Sequence, residues 1–596
     1  MKAGRAIWFS LVLTICAAAG ICAAADPLPP FARADDGQWT LPAKNTASTR
    51  FSTLAEINPA NASRLRLDFT FKTGLGKGEE AAPLVVGNTM YIVTPYPNTV
   101  YALDLTKPGA VVKWRFDPHP APASQGVACC DVINRGGAYA DGKLVFNTLD
   151  GQTIALNATT GKLLWRTQLG NIKIGETITM APLIARDKVL VGDSGGEFGV
   201  RGWIAALNLA DGKIAWKAFN TGPDKDVLIG PSFRPFYAKD RGKDLGVSTW
   251  VGDEWKTGGG NVWGWVSYDP DLNLVYYGTG NPGPWNAEQR PGNNEWTAGI
   301  FARDLNTGQA RWYYQWSPHD IYDHDGVNEN ILLDLHWRGQ PRKVLVHPER
   351  NGYVYVLDRT TGEVLSAKPF VFINSSRGVD LKTGELLMNP AKKVGTDKTT
   401  YDICPTASGA KDWEPSAYSP RTGLLYIPHA NLCMDEHGVS VSYIPGTPYV
   451  GADLRQKEGR GGHRGAFTAW DVLGQKKSWE VQEPLPVWSG AVVTAGDVVF
   501  YGTLDGWFKA VGARSGKLLW RYKTDSGIIS QPVVYRGPDG HEYVAVLSGI
   551  GGWIGMVISN NMDARDKTGA LGMVSAAGDL VGKVKKAGTL YVFRLR

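Results

Sequence analysis

Cysteine is scarce: six occur in 596 residues, and two of them, Cys16 and Cys22, fall within the first 25. None belongs to a Cys-x-x-Cys-His string, which excludes covalently attached haem of the c type. Beyond residue 25 no apolar run approaches the roughly 20 residues needed to cross a bilayer as a helix. One-sided charge is missing too: the formal net charge is +6, Lys2 and Arg5 supply two of those charges, and the other basic residues are scattered. A nucleic-acid partner is not expected of such a surface.

Lys2 and Arg5 precede an apolar run from Ala6 to Ala25 that ends in alanines suited to an A-x-A cleavage site. The pattern predicts a secretory signal over residues 1–25, removed on export. The mature chain, 26–596, then keeps Cys129, Cys130, Cys404 and Cys433. An even set in an exported chain suits disulfides in an oxidising compartment, with no stable membrane insertion.

Glycine (72), proline (35) and tryptophan (22) are abundant, which implies many turns and much aromatic packing. The tryptophans follow a repeat. ALNATTGKLLW (155–165), ALNLADGKIAW (206–216), ARDLNTGQARW (302–312) and AVGARSGKLLW (510–520) share a small or apolar start, a turn ending in Gly, and a Trp four residues later. Weaker copies end at Trp114, at Ser366 and near Trp479. A short alternating strand precedes each, as in KLVFNTLDGQTIAL. Strand-rich units whose terminal Trp docks on the next sheet close into a propeller. Spacings of about 50 residues, longer where loops intervene, predict an all-β, eight-bladed β-propeller as one domain over 26–596.

A propeller does not specify a reaction. Four clusters carry chemistry. In GVACCDVINRG (126–136), Cys129 and Cys130 are neighbours; they form either a strained eight-membered disulfide ring, a pair of reduced core thiols, or partners for Cys404 and Cys433, which otherwise pair with each other. In GDSGGEFGVRG (192–202), Glu197 stands alone among glycines, as a cation ligand or a solvated turn residue. In VYYGTGNPGPWN an apolar strand runs out at Asn281, whose amide oxygen suits a hard metal. SPHDIYDHDGVNEN packs Asp320, Asp323 and Asp325 beside His319 and His324; an extended backbone would turn Asp323 and Asp325 to one side.

Together these strings resemble the quinoprotein alcohol dehydrogenases, periplasmic eight-bladed propellers that carry pyrroloquinoline quinone (PQQ) and a metal. The resemblance runs from GEEAAPLVVGNTMY to YVAVLSGIGGWIG. It implies that Cys129 and Cys130 form a disulfide wall on one face of the quinone and that Trp263 stacks on the other. It implies further that Glu80, Arg135, Thr179, Ser194, Gly195 and Gly196 hold the cofactor's carboxylates and carbonyls. Asp412 and Trp413 of GAKDWEP, Trp488 of PVWSG and Trp553 of GGWIG surround it. Glu197, Asn281 and Asp323 match metal ligands, Asp323 also matches the catalytic base, and Arg350 of HPERNG matches the cation beside the reactive carbonyl. The implied chemistry is oxidation of a primary alcohol to an aldehyde: the metal polarises the quinone C5 carbonyl, Asp323 takes the hydroxyl proton and hydride passes to C5. With no haem site in the chain, the implied acceptor is a separate cytochrome c. A homodimer is compatible with the resemblance.

Calcium-type members usually lack an acid two residues after the catalytic Asp, whereas Asp325 stands there in this chain. A third carboxylate favours a trivalent lanthanide over calcium, as does Gly196 beside Glu197. Two departures bear on the substrate. Asn261 replaces the Thr usual in methanol-oxidising relatives, so one cofactor hydrogen bond is remade, and Lys411-Asp412-Trp413 looks more like the ethanol-type branch. Short primary alcohols are the expected substrates. The alternatives are a calcium enzyme for larger alcohols or aldehydes and, more remotely, a non-enzymatic propeller scaffold.

Overall fold

The computed structural model describes Met1 and residues 27–596; the expected export signal lies outside the described residues apart from Met1. Strands dominate, and they group into ten sheets, eight of which contain four or five strands. Within each large sheet, neighbouring strands are antiparallel and mostly sequential, as in Leu183–Ala185, Lys188–Gly192, Trp203–Asn208 and Ile214–Phe219. The innermost strands Leu84–Val86, Gly137–Ala140, Leu183–Ala185, Val266–Asp269 and Ile331–Trp337 touch in succession. So do Ala417–Ser419, Val492–Thr494 and Val533–Arg536. The sheets therefore stand side by side around an axis, the arrangement of a propeller.

Sandwiching explains the composition of each strand. Middle strands such as Trp203–Asn208 (WIAALN) are buried almost throughout, because a sheet lies on either face. Outer strands are wet: in Leu163–Gln168 (LLWRTQ) Trp165 is the one buried residue. That tryptophan joins one sheet to the next. Trp114, Trp165, Trp216, Trp312, Trp479 and Trp520 donate their indole N–H groups to the carbonyls of Ala158, Leu209, Leu305, Arg359, Ala513 and Leu65 at 2.8–3.1 Å. Five of these indoles lie flat on the turn glycine of the following repeat. A Cβ on Gly161, Gly212, Gly308, Gly362 or Gly516 would sit 2.5–2.7 Å from the preceding indole, and each has φ between +66° and +82°. The Gly and the Trp of the repeat are thus two halves of one joint. The copy ending at Ser366 lacks the indole; Ser366 bonds instead to Gln475 of the next sheet.

Chain ends complete two sheets. Leu65–Lys72 pairs antiparallel with Thr589–Leu595, and Phe51–Ser52 pairs parallel with Val492–Thr494. Among the described residues no helix is long and apolar enough to cross a membrane. Long connections between strands gather the chemistry, and one of them, 549–588, carries the helices Gly552–Ser559 and Met573–Ala577. Another is tied by the Cys404–Cys433 disulfide that the sequence suggested.

The joint can be tested at one glycine. Gly308→Ala meets the Trp216 indole and should lose about 1–3 kcal/mol to overpacking, added to about 1–2 kcal/mol for a left-handed alanine. Gly142→Ala has a similar φ of +72° with open space around it and should carry the second loss alone. Thermal unfolding of the two variants, compared with the parent, separates the terms.

Candidate active site

One pocket collects most of the residues that the motifs single out. Glu80, Cys129, Cys130, Arg135, Thr179, Ser194, Gly195, Glu197, Trp263, Asp323, Asp325, Arg350, Asp412 and Trp553 line it. They come from nine separate connections, so the site exists only in the assembled ring.

One side is a hydrogen-bonded chain. Arg135 Nε lies 3.1 Å from Glu80 Oε2, and Arg135 Nη1 donates to Thr179 Oγ1 at 3.0 Å and to the Trp263 carbonyl at 3.3 Å. Thr179 Oγ1 in turn meets Ser194 Oγ at 2.9 Å. The Arg135 guanidinium also stands over the rings of Trp263 and Trp413, 4.7 and 4.9 Å from their centroids. This wall presents a fixed cation and hydroxyls, the groups that grip a polyanionic, carbonyl-rich molecule. Burial pushes the Glu80 carboxyl up to about 8; Arg135 opposes the rise, and the charges of Asp412 and Asp131 add to it.

The opposite side is acidic. Arg350, 2% exposed, meets three aspartates: Asp323 Oδ2 at 3.2 Å, Asp325 Oδ2 at 3.4 Å, and Asp412 in a short contact. Its Nη1 also donates to the Asp323 and Ala407 carbonyls at 2.7 and 3.3 Å. Trp263 donates its indole N–H to Asp325 Oδ2 at 2.9 Å, and the Asn281 N–H donates to Asp325 Oδ1. Glu197, half-buried, brings a fourth carboxyl to this side. Burial pushes Asp323 well above the ordinary carboxylate range; Arg350 opposes the rise, and Asp325 and Glu197 add to it. Burial and then Asp325 raise Glu197, while burial raises Asp325 against the pull of Arg350. One guanidinium faces more acid than it can neutralise.

Several expectations change in detail. Asp323 and Asp325 do share the pocket, but not along an extended segment: Asp323 has φ +65°, and a left-handed kink rather than strand alternation aims the two carboxyls. Asp320 stays out of the pocket, accepting the N–H groups of Tyr322 and His324 at 3.3 and 3.1 Å, which shapes that kink. His324 is buried with its pKa lowered to about 3 by burial, so it is neutral. Gly196 and Asn281 lie behind the lining, and so do Trp413, which sits under Arg135, and Trp488. Cys129 and Cys130 are half-buried thiols with Sγ atoms 2.6 Å apart.

The motifs did not reveal Trp285, Asp131, Ile133 or Leu571, which also line the pocket. Trp285 stood in the YGTGNPGPWN string and was passed over for Asn281. Leu571 left no signal, because it reaches the pocket from 549–588 through the fold; the Trp553 indole donates to the neighbouring Ala570 carbonyl at 2.7 Å.

A family model described as glucose/ethanol/alcohol dehydrogenase, beta-propeller domain, under the label PQQ, matches residues 39–367 and 450–544. The chain belongs to the PQQ-dependent alcohol dehydrogenases. Within that family it is 49% identical to the lanthanide-dependent methanol dehydrogenase of Methylacidiphilum fumariolicum strain SolV, over 94% of this chain and 93% of the relative. It is 43% identical to methanol dehydrogenase (cytochrome c) subunit 1 of Methylorubrum extorquens, over 96% and 92%. A solved europium-containing methanol dehydrogenase superposes with a TM-score of 0.93 at 49% identity, covering 94% of this chain and 98% of that one.

The residues present fit a metal in such a dehydrogenase. Asp323 Oδ1 is buried without a hydrogen-bond partner. A Cβ on Gly280 would lie 2.8 Å from Asp325 Oδ1, so glycine is what lets that carboxyl approach. All the donors are hard oxygens. Elsewhere among the described residues, Asp402, Cys404 and Cys433 bring potential ligand atoms together, but the two cysteines are joined as a disulfide.

Arg350 can be tested without cofactor. Arg350→Gln strands buried carboxylates and should destabilise the metal-free protein by about 3–5 kcal/mol at pH 7.5. The carboxyl pKa values are raised in the folded state, so folding takes up protons and stability falls as pH rises above the ordinary carboxylate range. The loss should therefore shrink at pH 5, as measured by urea unfolding at the two pH values.

Proposed function

We propose that this PQQ-dependent alcohol dehydrogenase oxidises short primary alcohols, methanol and ethanol among them, to aldehydes, with PQQ and a lanthanide(III) ion and with a cytochrome c as electron acceptor. The observation that carries the lanthanide is Asp325, a third carboxyl in the pocket of Glu197 and Asp323. Lanthanide-dependent methanol dehydrogenases and a europium-containing structure among the relatives support it. Relatives named as cytochrome c methanol dehydrogenases support the acceptor. The amino-terminal pattern supports export to the periplasm, and eight sheets of four or five strands support an eight-bladed ring as one domain over 26–596.

PQQ when bound supplies a two-electron acceptor, and the metal supplies a Lewis acid. The residues that would hold the metal are Glu197, Asn281, Asp323 and Asp325; those that would hold PQQ are Glu80, Arg135, Thr179, Ser194, Gly195, Gly196, Trp263, Asp412 and Trp413, with Cys129 and Cys130 on the facing wall, where oxidation of the two adjacent thiols would join them as a disulfide. Arg350 orients the Asp323 carboxyl through Oδ2, which places that carboxyl to take the proton of an alcohol hydroxyl. The positive charge of Arg350 remains beside the acid to stabilise developing negative charge. Trp553, Trp285 and Leu571 give the pocket an apolar lining that disfavours water beside the reacting groups.

The deciding experiment is dye-linked alcohol oxidation by purified apo-protein given PQQ, with lanthanum alone or calcium alone, across methanol, ethanol and butanol. Lanthanum-supported activity that declines with chain length is expected. Activity with calcium alone would remove the lanthanide from the reading, and inactivity with both would revive the scaffold alternative. Asp325→Ala should lose lanthanum-supported turnover by about two orders of magnitude or more; unchanged turnover and metal content would take Asp325 out of the site.

A further inference from the structure

Asn261 is placed beside Asn281 by the backbone. The Gly260 N–H donates to the Asn281 carbonyl at 3.1 Å, and the Gly280 N–H donates to the Asn261 carbonyl at 2.8 Å. The Asn261 side chain is buried, 2% exposed, and its amide has a fixed sense. Nδ2 donates to Asp193 Oδ2 at 2.8 Å, while Asp193 Oδ1 receives the N–H groups of Trp203 and Val262 at 3.0 and 3.4 Å. A carboxylate oxygen accepts, so the amide must offer it the NH2 end.

The other end, Oδ1, is turned away from Asp193 and buried with no hydrogen-bond partner. It lies over the glycine next to Glu197: a Cβ on Gly196 would stand 3.1 Å from Asn261 Oδ1 and 3.6 Å from Asn281 Oδ1. Two amide oxygens from adjacent backbones therefore converge on the bare face of Gly196. Leaving such an oxygen buried and unmatched is unfavourable. A hard cation satisfies it without any donor hydrogen.

We propose that Asn261 Oδ1 is an additional protein ligand to the metal held by Glu197, Asn281, Asp323 and Asp325, an inference that rests on the metal reading above. A neutral oxygen raises the coordination number without adding charge, which suits a large ion.

The test uses holoenzyme with PQQ and the variants Asn261→Thr and Asn261→Ala. Tryptophan-sensitised terbium emission measures affinity, and europium lifetimes in H2O and D2O count waters on the ion. Both variants should bind terbium about 10- to 100-fold more weakly and carry about one more coordinated water; loss of the bond to Asp193 lowers the melting temperature of their metal-free forms, so affinity and hydration are read at a temperature where each variant is folded. Parental affinity and hydration in a folded variant would overturn the assignment. Should neither variant fold, anomalous diffraction from terbium-loaded parent crystals decides: Asn261 Oδ1 at about 2.3–2.6 Å from the ion supports it, and a water interposed between them overturns it. A parent that binds no terbium would sink the metal reading and this inference together, and that failure is distinct because it appears before any substitution.

Discussion

Buried negative charge around a single guanidinium is the constraint on which the site depends. Arg350 meets Asp323, Asp325 and Asp412 at once, and Glu197 faces the same space. Carboxylates in a low-dielectric interior either take up protons or find cations. One fixed cation cannot balance them, so the pocket is built as half of a complex whose other half is positively charged. The left-handed turn at Asp323, the glycine at 280 and the indole N–H of Trp263 are the local means by which the acids are held together against their repulsion.

The rest of the molecule makes that concentration tolerable. Five joints between neighbouring sheets pair an indole with a bare glycine, and the grip repeats without reference to the pocket. The repeats therefore confer rigidity, while the connections between them vary in length and carry the chemistry. Arg135 shows the link between the two levels: it leaves the CCDVINRG connection, braces Glu80 and Thr179, and covers two tryptophan faces from other connections. A shift of any one sheet would displace the whole wall.

Much of this was legible in the chain. The Gly-to-Trp spacing announced the joint, because each partner is rare enough and regular enough to be seen. The glycine-rich strings announced Glu197 and Asn281, since side chains near a bound ion demand backbone without Cβ atoms. What the sequence hid depends on long-range contact. Leu571 belongs to the pocket because 549–588 folds over it, and no local pattern records that. Asp193 anchors Asn261 and Val262 from 68 and 69 positions away, yet in the string GDSGGE it looked subordinate to Glu197. The assumption of extended backbone at Asp323 misjudged a kink imposed by Asp320, whose carboxyl captures two N–H groups of the same loop.

The pairing of Leu65–Lys72 with Thr589–Leu595 has a temporal meaning. The early strand must wait for the late one, more than five hundred positions downstream, before its sheet is whole and the Trp520 indole can seat on Leu65 in its final frame. Intermediate lengths of chain hold stacked but unclosed sheets, with Glu80 and its neighbours still on a loose end. A chain that stops before Thr589 therefore lacks the strand that completes the sheet next to Glu80.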